Sequence, residues 1–307
     1  MPEIDELFNE YRPRLFSIAY RMLGSVMDAE DMVQEAFLRW QRTTHAEITS
    51  PKAYLTTVIT RLCIDHLGAA YVRRESYVGP WLPEPLVTEG DAMTDLAAQA
   101  DSLSLAFLIL LERLTPVERA VFLLHEVFDY PYEEIAGIVE KSATNCRQIG
   151  QRARRHVHAN RPRFDSSPAE QERLTQQFMQ SCVSGDLDAL IATLADDITL
   201  WADSGGKATA ARRPVHGAEH VARFLLGGLA KARQSIATRV TRINGQPGFI
   251  VRADDTVYVT ALEIADGRIQ AIRSVANPEK LRGLGDEISV VSSQWSVIRG
   301  PNESESC

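Results

Sequence analysis

The stretch Tyr132-Glu-Glu-Ile-Ala-Gly-Ile-Val139, followed by Glu140-Lys-Ser142 and then by Ala143 to His158, decides the fold of the N-terminal half. Apolar residues recur at helical spacing in its first part, which predicts one short helix with a buried face. Ser142 is a good N-cap for a second helix. The exposed face of that helix carries four long polar side chains: Arg147, Gln148, Gln151 and Arg152. The spacing fits a helix-turn-helix, with an ordinary helical hairpin as the alternative.

The charge of the chain is unevenly distributed. The 307 residues carry a net charge of -8, yet residues 141–163 hold seven basic and no acidic side chains. These are Lys141, Arg147, Arg152, Arg154, Arg155, Arg161 and Arg163. Because charges act over a Debye length of ~10 Å, such a segment can bind a polyanion although the whole chain is acidic. A solvated helix face is the competing interpretation of the charge alone.

Composition excludes several classes of protein. A hydrophobic content of 45% is enough to form cores, and the longest apolar run, at 103–111 and interrupted by Ser104, is about half the length that a bilayer span requires. The acidic N-terminus does not resemble an export signal, so we expect a cytoplasmic protein. The four cysteines form no Cys-x-x-Cys pair, which argues against a zinc knuckle or a redox dithiol.

Helical periodicity covers most of the first half. It predicts three helices in residues 1–79, the second opening near Asp28 and the third at Pro51. Three prolines within Gly79-Pro-Trp-Leu-Pro-Glu-Pro85 favour an extended linker, assigned to 80–100. Helices resume over 101–163, and a second proline-containing break follows up to Pro168.

The second half has a different period. One or two helices, at 170–183 and 187–194, precede alternating runs that predict strands. The runs are 198–202, 235–243, 248–252, 256–264 and 268–275, with a helix near 218–230 between the first two. Asn244-Gly245 and Asp266-Gly267 predict hairpin turns. We therefore expect an α+β domain with an antiparallel sheet at 169–284 and an unassigned tail at 285–307.

Two blocks resemble bacterial RNA polymerase sigma factors. Leu114-Thr-Pro-Val-Glu-Arg-Ala-Val-Phe-Leu-Leu124 together with residues 132–157 is similar to region four, which reads the minus-thirty-five promoter element. Tyr20-Arg-Met-Leu-Gly-Ser-Val-Met-Asp-Ala-Glu-Asp-Met-Val-Gln-Glu-Ala-Phe-Leu-Arg-Trp40 resembles region two. The short spacing between the blocks is that of extracytoplasmic-function sigma factors. Ile149-Gly150 replaces the Arg-Leu that is usual in the recognition helix, and Arg61-Leu-Cys-Ile-Asp65 replaces Asn-x-x-x-Asp.

Three further motifs resemble one subgroup, the sigma factors of the mycobacterial SigJ type with a C-terminal SnoaL-like extension. They are Tyr77 to Pro85, Asp203-Ser-Gly-Gly-Lys207 and Asn277-Pro-Glu-Lys-Leu281. The resemblance implies a multidomain protein with two all-α sigma domains, a region-two helical bundle and a region-four helix-turn-helix. It also implies that an α+β SnoaL/NTF2-like cone follows them and modulates activity. The resemblance leaves open whether the cone binds a small-molecule ligand.

The resemblance also implies residue roles. Asp31, Gln34, Glu35 and Leu38 would bind the polymerase clamp coiled coil, and region four would meet the flap. DNA contacts would come from Arg61, Asp65, Arg73, Arg74, Ser142, Thr144, Asn145, Arg147, Gln148, Gln151 and Arg152, with the loop Thr43 to Pro51 holding a flipped base. Regulation between domains would use Trp81, Leu82, Pro83, Glu84, Pro85, Asp203, Gly205, Gly206, Lys207, Asn277, Pro278 and Lys280.

Other features suggest chemistry less strongly. His216-Gly-Ala-Glu-His220 matches an inverted zinc-protease pattern, but Gly217 is expected to start a helix and leave His216 outside it. Gly205-Gly-Lys207 lacks the first glycine and the hydroxyl residue of a phosphate loop. Asp203 with Lys207 forms either an acid-base pair or a loop-fixing salt bridge, and we favour the salt bridge. We expect no metal, no cofactor and no enzymatic activity.

Two rival functions remain. A small-molecule cyclase or isomerase with helical appendages would use the C-terminal domain. A ligand-binding repressor would use the helix-turn-helix without a polymerase. Neither rival needs the helix from Asp28 to Trp40, so the region-two residues favour the sigma factor.

Overall fold

The structure is a computed structural model that describes residues 2–44, 48–74, 77–88, 102–160, 166–231, 236–285 and 296–298. Of the side chains in these ranges, those of 2–4, 70–74, 160 and 296–298 are outside the description, Arg73 and Arg74 among them. The chain forms two compact units. The first contains Met1–Ser76 and Ala106–Pro162, and the second contains Tyr77–Leu105 and Arg163–Cys307. Residues 77–79, expected at the end of the first helical domain, and residues 80–88 of the expected linker thus belong to the C-terminal unit, and we call 77–88 together the linker from here on.

The first unit is helical throughout its described part. Its helices are α1 Pro2–Leu23, α2 Val26–Arg42, α3 Pro51–Arg74, α4 Leu105–Leu111, α5 Pro116–Glu126, α6 Tyr132–Val139 and α7 Ala143–Asn160. Helix α4 starts one residue before the boundary of the unit. The three helices predicted in residues 1–79 and the two helices of the predicted helix-turn-helix are confirmed.

Local sequence sets the ends of these helices. The Ser25 hydroxyl accepts from the amide of Asp28 at 3.1 Å, so α2 begins two residues earlier than the sequence predicts. Thr115 and Glu118 form a capping box at the start of α5. Glu140 adopts the left-handed conformation, with φ of 55°, and ends α6 before the turn into α7.

Within the first unit, the region-two helices pack against the region-four helices. The Thr56 and Tyr130 hydroxyls lie 2.9 Å apart and both residues are buried. Arg14 donates to the carbonyl of Phe128 at 3.3 Å, and its guanidinium lies over the Phe128 ring. Buried Arg119 donates to the carbonyl of Met22. These contacts bring the two sigma-like blocks into one helical body.

The second unit packs three helices on a sheet. The helices are α8 Pro168–Ser184, α9 Leu187–Thr193 and α10 Ala218–Leu229. The strands are β1 Leu194–Asp203, β2 Val215–His216, β3 Ile236–Ile243, β4 Gln246–Ala253, β5 Thr256–Ala265, β6 Arg268–Val275 and β7 Ser296–Ile298. In space they follow the order β2-β1-β6-β5-β4-β3-β7. This is the helix-and-sheet architecture predicted for the C-terminal domain.

Apolar side chains from the helices and from one face of the sheet form its core. Phe178 of α8 stacks on Phe249 of β4 with ring centroids 5.7 Å apart, and Val221 of α10 is fully buried. The predicted turns at Asn244-Gly245 and Asp266-Gly267 are confirmed, since all four residues have positive φ. A third hairpin turn begins at Asp254, with φ of 53°, and the sequence analysis did not assign it.

The expectation of an antiparallel sheet is wrong at one pair of strands. β1 runs parallel to β6, with Asp203 beside Val275, whereas the other adjacent pairs among the described strands are antiparallel. Alternating hydrophobicity identifies a strand but carries no information about its neighbour's direction. Helix α10 and three hairpin-connected strands separate β1 from β6, so no tight turn determines their pairing.

Part of the unassigned tail is structured. Residues Ser296–Ile298 pair with β3 as an antiparallel edge strand, with Ile298 opposite Ile236. Neither this strand nor β2 is predicted from the sequence. Both are two or three residues long, too short for a periodic pattern to identify.

Candidate functional site

The outer face of α2 carries the residues predicted to bind the polymerase. Asp31, Gln34 and Leu38 are exposed, and half-buried Glu35 forms an ion pair with Arg39 at 3.0 Å. On the opposite face Val33, Ala36 and Trp40 are buried. The spacing of Phe37 with these residues predicts that it also lies in the core, but it is only half-buried, with its ring 4.9 Å from that of Phe8. The helix therefore has one acidic and polar side available to a partner.

The second helix of the helix-turn-helix, α7, also has two distinct sides. Its inner side consists of buried Cys146, Ile149, Gly150, Ala153 and Val157. The predicted DNA contacts Ser142, Thr144, Asn145, Arg147, Gln148, Gln151 and Arg152 are all exposed. The Ser142 hydroxyl accepts from the amide of Asn145 at 3.2 Å, so this residue caps α7, as predicted.

Three arginines of α7 form ion pairs with glutamates of the preceding helices. Arg147 pairs with Glu133 of α6, and Arg154 donates from Nε to Glu126 of α5 at 3.0 Å. Arg152 lies 3.0 Å from Glu118 of α5.

The carboxyl of Glu118 has a second set of partners. Burial raises its pKa, but hydrogen bonds from the backbone and hydroxyl of Thr115 and the charge of Arg152 outweigh burial, so the pKa lies below its ordinary value. The same carboxyl therefore closes the N-terminus of α5 and holds Arg152.

Gly150 determines how closely α6 approaches α7. A Cβ at this position would lie 2.5 Å from the hydroxyl oxygen of Tyr132 and 3.0 Å from the nearest carbon of its ring. The Tyr132 ring in turn stacks on His125, with centroids 4.0 Å apart. This role of Gly150 is not predicted from the sequence. The sequence does contain a signal for it, because a glycine replaces the residue that is usual at this position of the recognition helix.

Arg61, a predicted promoter contact on α3, binds the helix-turn-helix within the first unit. Its Nε and Nη2 donate to the carbonyls of Ile138 and Gly137, each at 2.9 Å, and its Nη1 lies 2.9 Å from Glu140. These groups form the C-terminal end of α6, which attracts cations. Asp65, one turn away, is exposed. The loop Thr43 to Pro51 is only partly described, because 45–47 lie outside the described residues.

In the second unit, Asp203 at the end of β1 binds the linker. Its side chain is fully buried. Oδ1 accepts from the Tyr77 hydroxyl at 2.5 Å and from the amide of Gly205 at 3.1 Å. Oδ2 accepts from the amide of Leu82 at 2.8 Å and from Nζ of Lys280 at 2.7 Å. Four donors thus satisfy one buried carboxylate.

Lys280 and Asn277 hold the linker from the other side. Lys280 Nζ also donates to the carbonyl of Leu82 and lies 4.1 Å from the centre of the Trp81 ring. Asn277 donates from Nδ2 to the Tyr77 hydroxyl at 2.9 Å. We call Tyr77, Leu82, Asp203, Asn277 and Lys280 the linker clasp. Burial and the hydrogen bond to Asp203 raise the pKa of Tyr77, so its phenol stays protonated.

The glycines after Asp203 make this geometry possible. Gly205 has φ of +57°, and a Cβ there would lie 2.5 Å from Nδ2 of Asn277. Gly206 has φ of +76°, and its Cβ would contact Val78. Pro83, Glu84 and Pro85 are buried, whereas Pro278 is exposed. The structure therefore brings the three subgroup motifs, Tyr77 to Pro85, Asp203 to Lys207 and Asn277 to Leu281, together at one end of the sheet.

The expected pair between Asp203 and Lys207 is wrong. Lys207 pairs instead with Glu279, and the Lys207 ammonium holds the pKa of that carboxyl below its ordinary value. Asp203 bonds to Lys280. Gly205 and Gly206 turn the chain back after Asp203, so closeness in sequence does not make Asp203 and Lys207 neighbours.

A second attachment of the linker was not predicted. The amide of Leu86 donates to Oδ1 of Asn244 at 2.9 Å, and its carbonyl accepts from the amide of Asn244 at 2.8 Å. Val87 forms an isolated bridge with Ile243, and the amide of Thr88 donates to the carbonyl of Arg242 at 2.9 Å. The end of the linker thus pairs along β3. Only the turn role of Asn244 was visible in the sequence.

The described residues give no support to a metal site. No three His, Cys, Asp or Glu side chains among them cluster in a way that would hold an ion. His216 lies in β2 and Gly217, with φ of 86°, precedes α10, as predicted. No helix in the described part of the chain is long and apolar enough to cross a bilayer.

Comparisons with known proteins agree with this organisation. Residues 7–71 match sigma-70 region 2, and residues 104–157 match sigma-70 region 4. Together the matches place the protein in the class of sigma factors, which bind RNA polymerase and direct transcription initiation.

Relatives of similar length narrow the class. The chain is 39% identical over 295 residues to the ECF RNA polymerase sigma factor SigJ of Mycobacterium tuberculosis, covering 92% of this chain and 94% of that protein. It is 32% identical to the probable ECF sigma factor SigI of the same species, over 93% and 97% of the two chains. The crystal structure of M. tuberculosis SigJ matches with a TM-score of 0.73 and 36% identity, covering 91% of this chain and 98% of that one. The chain belongs to the ECF RNA polymerase sigma factors.

Proposed function

We propose that this sigma factor is regulated through its own linker, which the C-terminal domain holds in the linker clasp. The observation that carries the proposal is the buried carboxylate of Asp203, bonded to Tyr77 and Leu82 of the linker and to Lys280. A spacer between two DNA-binding regions would not need an ion pair with a fully buried carboxylate.

The proposal links the clasp to promoter binding through distance. Region two and region four must contact two promoter elements together, so the length of free linker between them sets the effective concentration of the second contact. Residues 77–88 are held on the sheet, which shortens the segment free to extend. Release of the clasp would lengthen it without any change in the DNA-binding side chains.

The remaining partners follow from the exposed surfaces. The acidic and polar side of α2, with Asp31, Gln34, Glu35 and Leu38, suits the polymerase clamp coiled coil, and the helix-turn-helix suits promoter DNA and the flap. These partners place its action in the bacterial cytoplasm. A ligand in the C-terminal domain is not needed for the mechanism.

The test is run-off transcription with purified core polymerase on promoter fragments from the host genome. Asp203→Asn keeps the size of the side chain and removes the charge that pairs with Lys280. Asp197→Asn, on the same strand and exposed, is the matched control for the change of charge. We expect Asp203→Asn to change the amount of transcript and Asp197→Asn to leave it unchanged. Equal transcription from the parent and from Asp203→Asn would reject the regulatory role.

A second variant separates regulation from folding. Trp81→Ser with Leu82→Ser, at unchanged length, alters the linker without removing a charge from the domain. Transcription that changes in both variants supports the clasp. If the parent protein itself produced no transcript, the result would instead contradict its function as an initiation factor on these fragments.

A further inference from the structure

The exposed side of α7 contains a stripe of residues at regular helical spacing. Thr144, Gln148, Gln151 and Arg155 follow one another at intervals of four, three and four, so they lie on one face and extend over about 16 Å at 1.5 Å per residue. All four are exposed, opposite the buried side of the helix. The major groove, about 12 Å wide, admits an α-helix, so this exposed face can lie against base edges and phosphates.

The other arginines of α7 flank this stripe and already have partners. Glu133 holds Arg147, Glu118 holds Arg152 and Glu126 holds Arg154. In contrast, Arg155 makes no ion pair or hydrogen bond with any residue that the structure describes.

Arg154 and Arg155 are adjacent, but they differ in the interaction that each must give up to bind a phosphate. Arg154 donates twice to Glu126, a carboxylate only 22% exposed, and that hydrogen bond and charge raise the arginine's pKa. To bind a phosphate, Arg154 must give up this interaction and leave Glu126 without its two hydrogen bonds from the arginine. Arg155 has no such interaction with a described residue to give up.

The net charge that each arginine brings to the groove also separates Arg155 from the arginines paired with glutamates. Each free cation that neutralises a phosphate releases counterions, whereas an arginine that remains paired with a glutamate adds no net charge at the groove. Arg147 and Arg152, which the sequence predicts as DNA contacts, are in that second situation. Their pairs are partly exposed and each contributes little, so they weaken these contacts without excluding them.

We propose that Arg155 is the phosphate contact of the recognition helix, that Gln148 and Gln151 read base edges on the same stripe, and that Arg154 holds α7 against α5. The proposal rests on promoter binding by the family. Glutamine presents both a donor and an acceptor, which suits adenine in the major groove. Arginine at the end of the stripe would fix the position of the helix on the backbone.

The experiment uses holoenzyme assembled from core polymerase and the full chain. The probe is a pool of duplexes randomised through the upstream promoter element, bound at several salt concentrations and sequenced after selection. Arg155→Ala should weaken binding and lower the slope of log affinity against log salt by about one unit, with unchanged base preferences. Arg155→Lys should restore the slope. Gln148→Ala should relax a base preference and keep the slope.

Arg154→Ala is the matched control, because it removes the same charge from the neighbouring position. It should keep the salt slope while lowering the melting temperature, since Glu126 loses its partner. Equal loss of slope in Arg154→Ala and Arg155→Ala would overturn the inference, as would an unchanged slope in Arg155→Ala. If the parent holoenzyme selects no sequence at all, the proposed promoter function fails together with the inference, an outcome distinct from the other two.

Discussion

Asp203→Asn should release the first part of the linker from the C-terminal domain. The parent carboxylate accepts from Tyr77, Leu82, Gly205 and Lys280. Asparagine has one acceptor oxygen, and its amide group would face one of the existing donors. The Lys280 ammonium, whose side chain is 9% exposed, would lose its charged acceptor in the clasp and keep its hydrogen bond to the carbonyl of Leu82.

The size of the effect follows from burial. Removing one partner of a buried ion pair costs about 3–5 kcal/mol. At 1.36 kcal/mol for each factor of ten, the lower end makes opening of the clasp about 100-fold more frequent. The change applies to local opening of residues near Leu82, because the sheet core does not depend on this pair.

Hydrogen exchange of the full-length chain measures this opening directly. The amide of Leu82 donates to Asp203, so its exchange should accelerate by about two orders of magnitude in Asp203→Asn. The amide of Leu86 donates to Asn244 and should remain protected. Asn244→Gly, which tolerates the positive φ of that turn, should give the opposite pattern.

The control is again Asp197→Asn, which should leave both amides protected. Unchanged exchange of the Leu82 amide in Asp203→Asn would refute the argument that the buried ion pair holds the linker. Equal acceleration at both amides would refute the division into two separate attachments.

Three further predictions concern other parts of the chain. Gly150→Ala should destabilise the helix-turn-helix by its clash with Tyr132, despite a gain of about 0.5–1 kcal/mol in helix propensity. In the Tyr132→Ala background the clash is absent, so the same change should be stabilising. Melting temperatures of Gly150→Ala in the parent and in Tyr132→Ala measure the two effects. Glu118 contributes stability that is present above its ordinary pKa and is lost as pH falls through its lowered folded value, so acid titration of Glu118→Gln should show a weaker loss of stability than the parent. Trp81→Ser with Leu82→Ser should raise the rate of proteolysis between 77 and 88, and an unchanged rate would reduce Trp81 and Leu82 to spacer residues.

The sequence alone determined the class of protein and most of the elements. Helical spacing, the cap at Ser142 and the turns at Asn244 and Asp266 are local features, and local features depend only on neighbours in the chain. The motifs for regions two and four required no knowledge of packing. For the same reason the exposed side of α7 was predictable, although the partners of its arginines were not.

Tertiary structure decided which motifs meet and which charges pair. The parallel pairing of β1 with β6 sets the carboxyl end of one strand beside that of the other, which brings Asp203 next to Asn277 and Lys280. An antiparallel pair would have put these motifs at opposite ends of the sheet. Strand direction, the choice of Glu279 as the partner of Lys207, and the binding of Arg61 to the end of α6 all depend on contacts between residues far apart in the chain. Periodicity and composition describe only near neighbours, so the sequence supplied the components of the linker clasp while their arrangement came from the packing of the sheet.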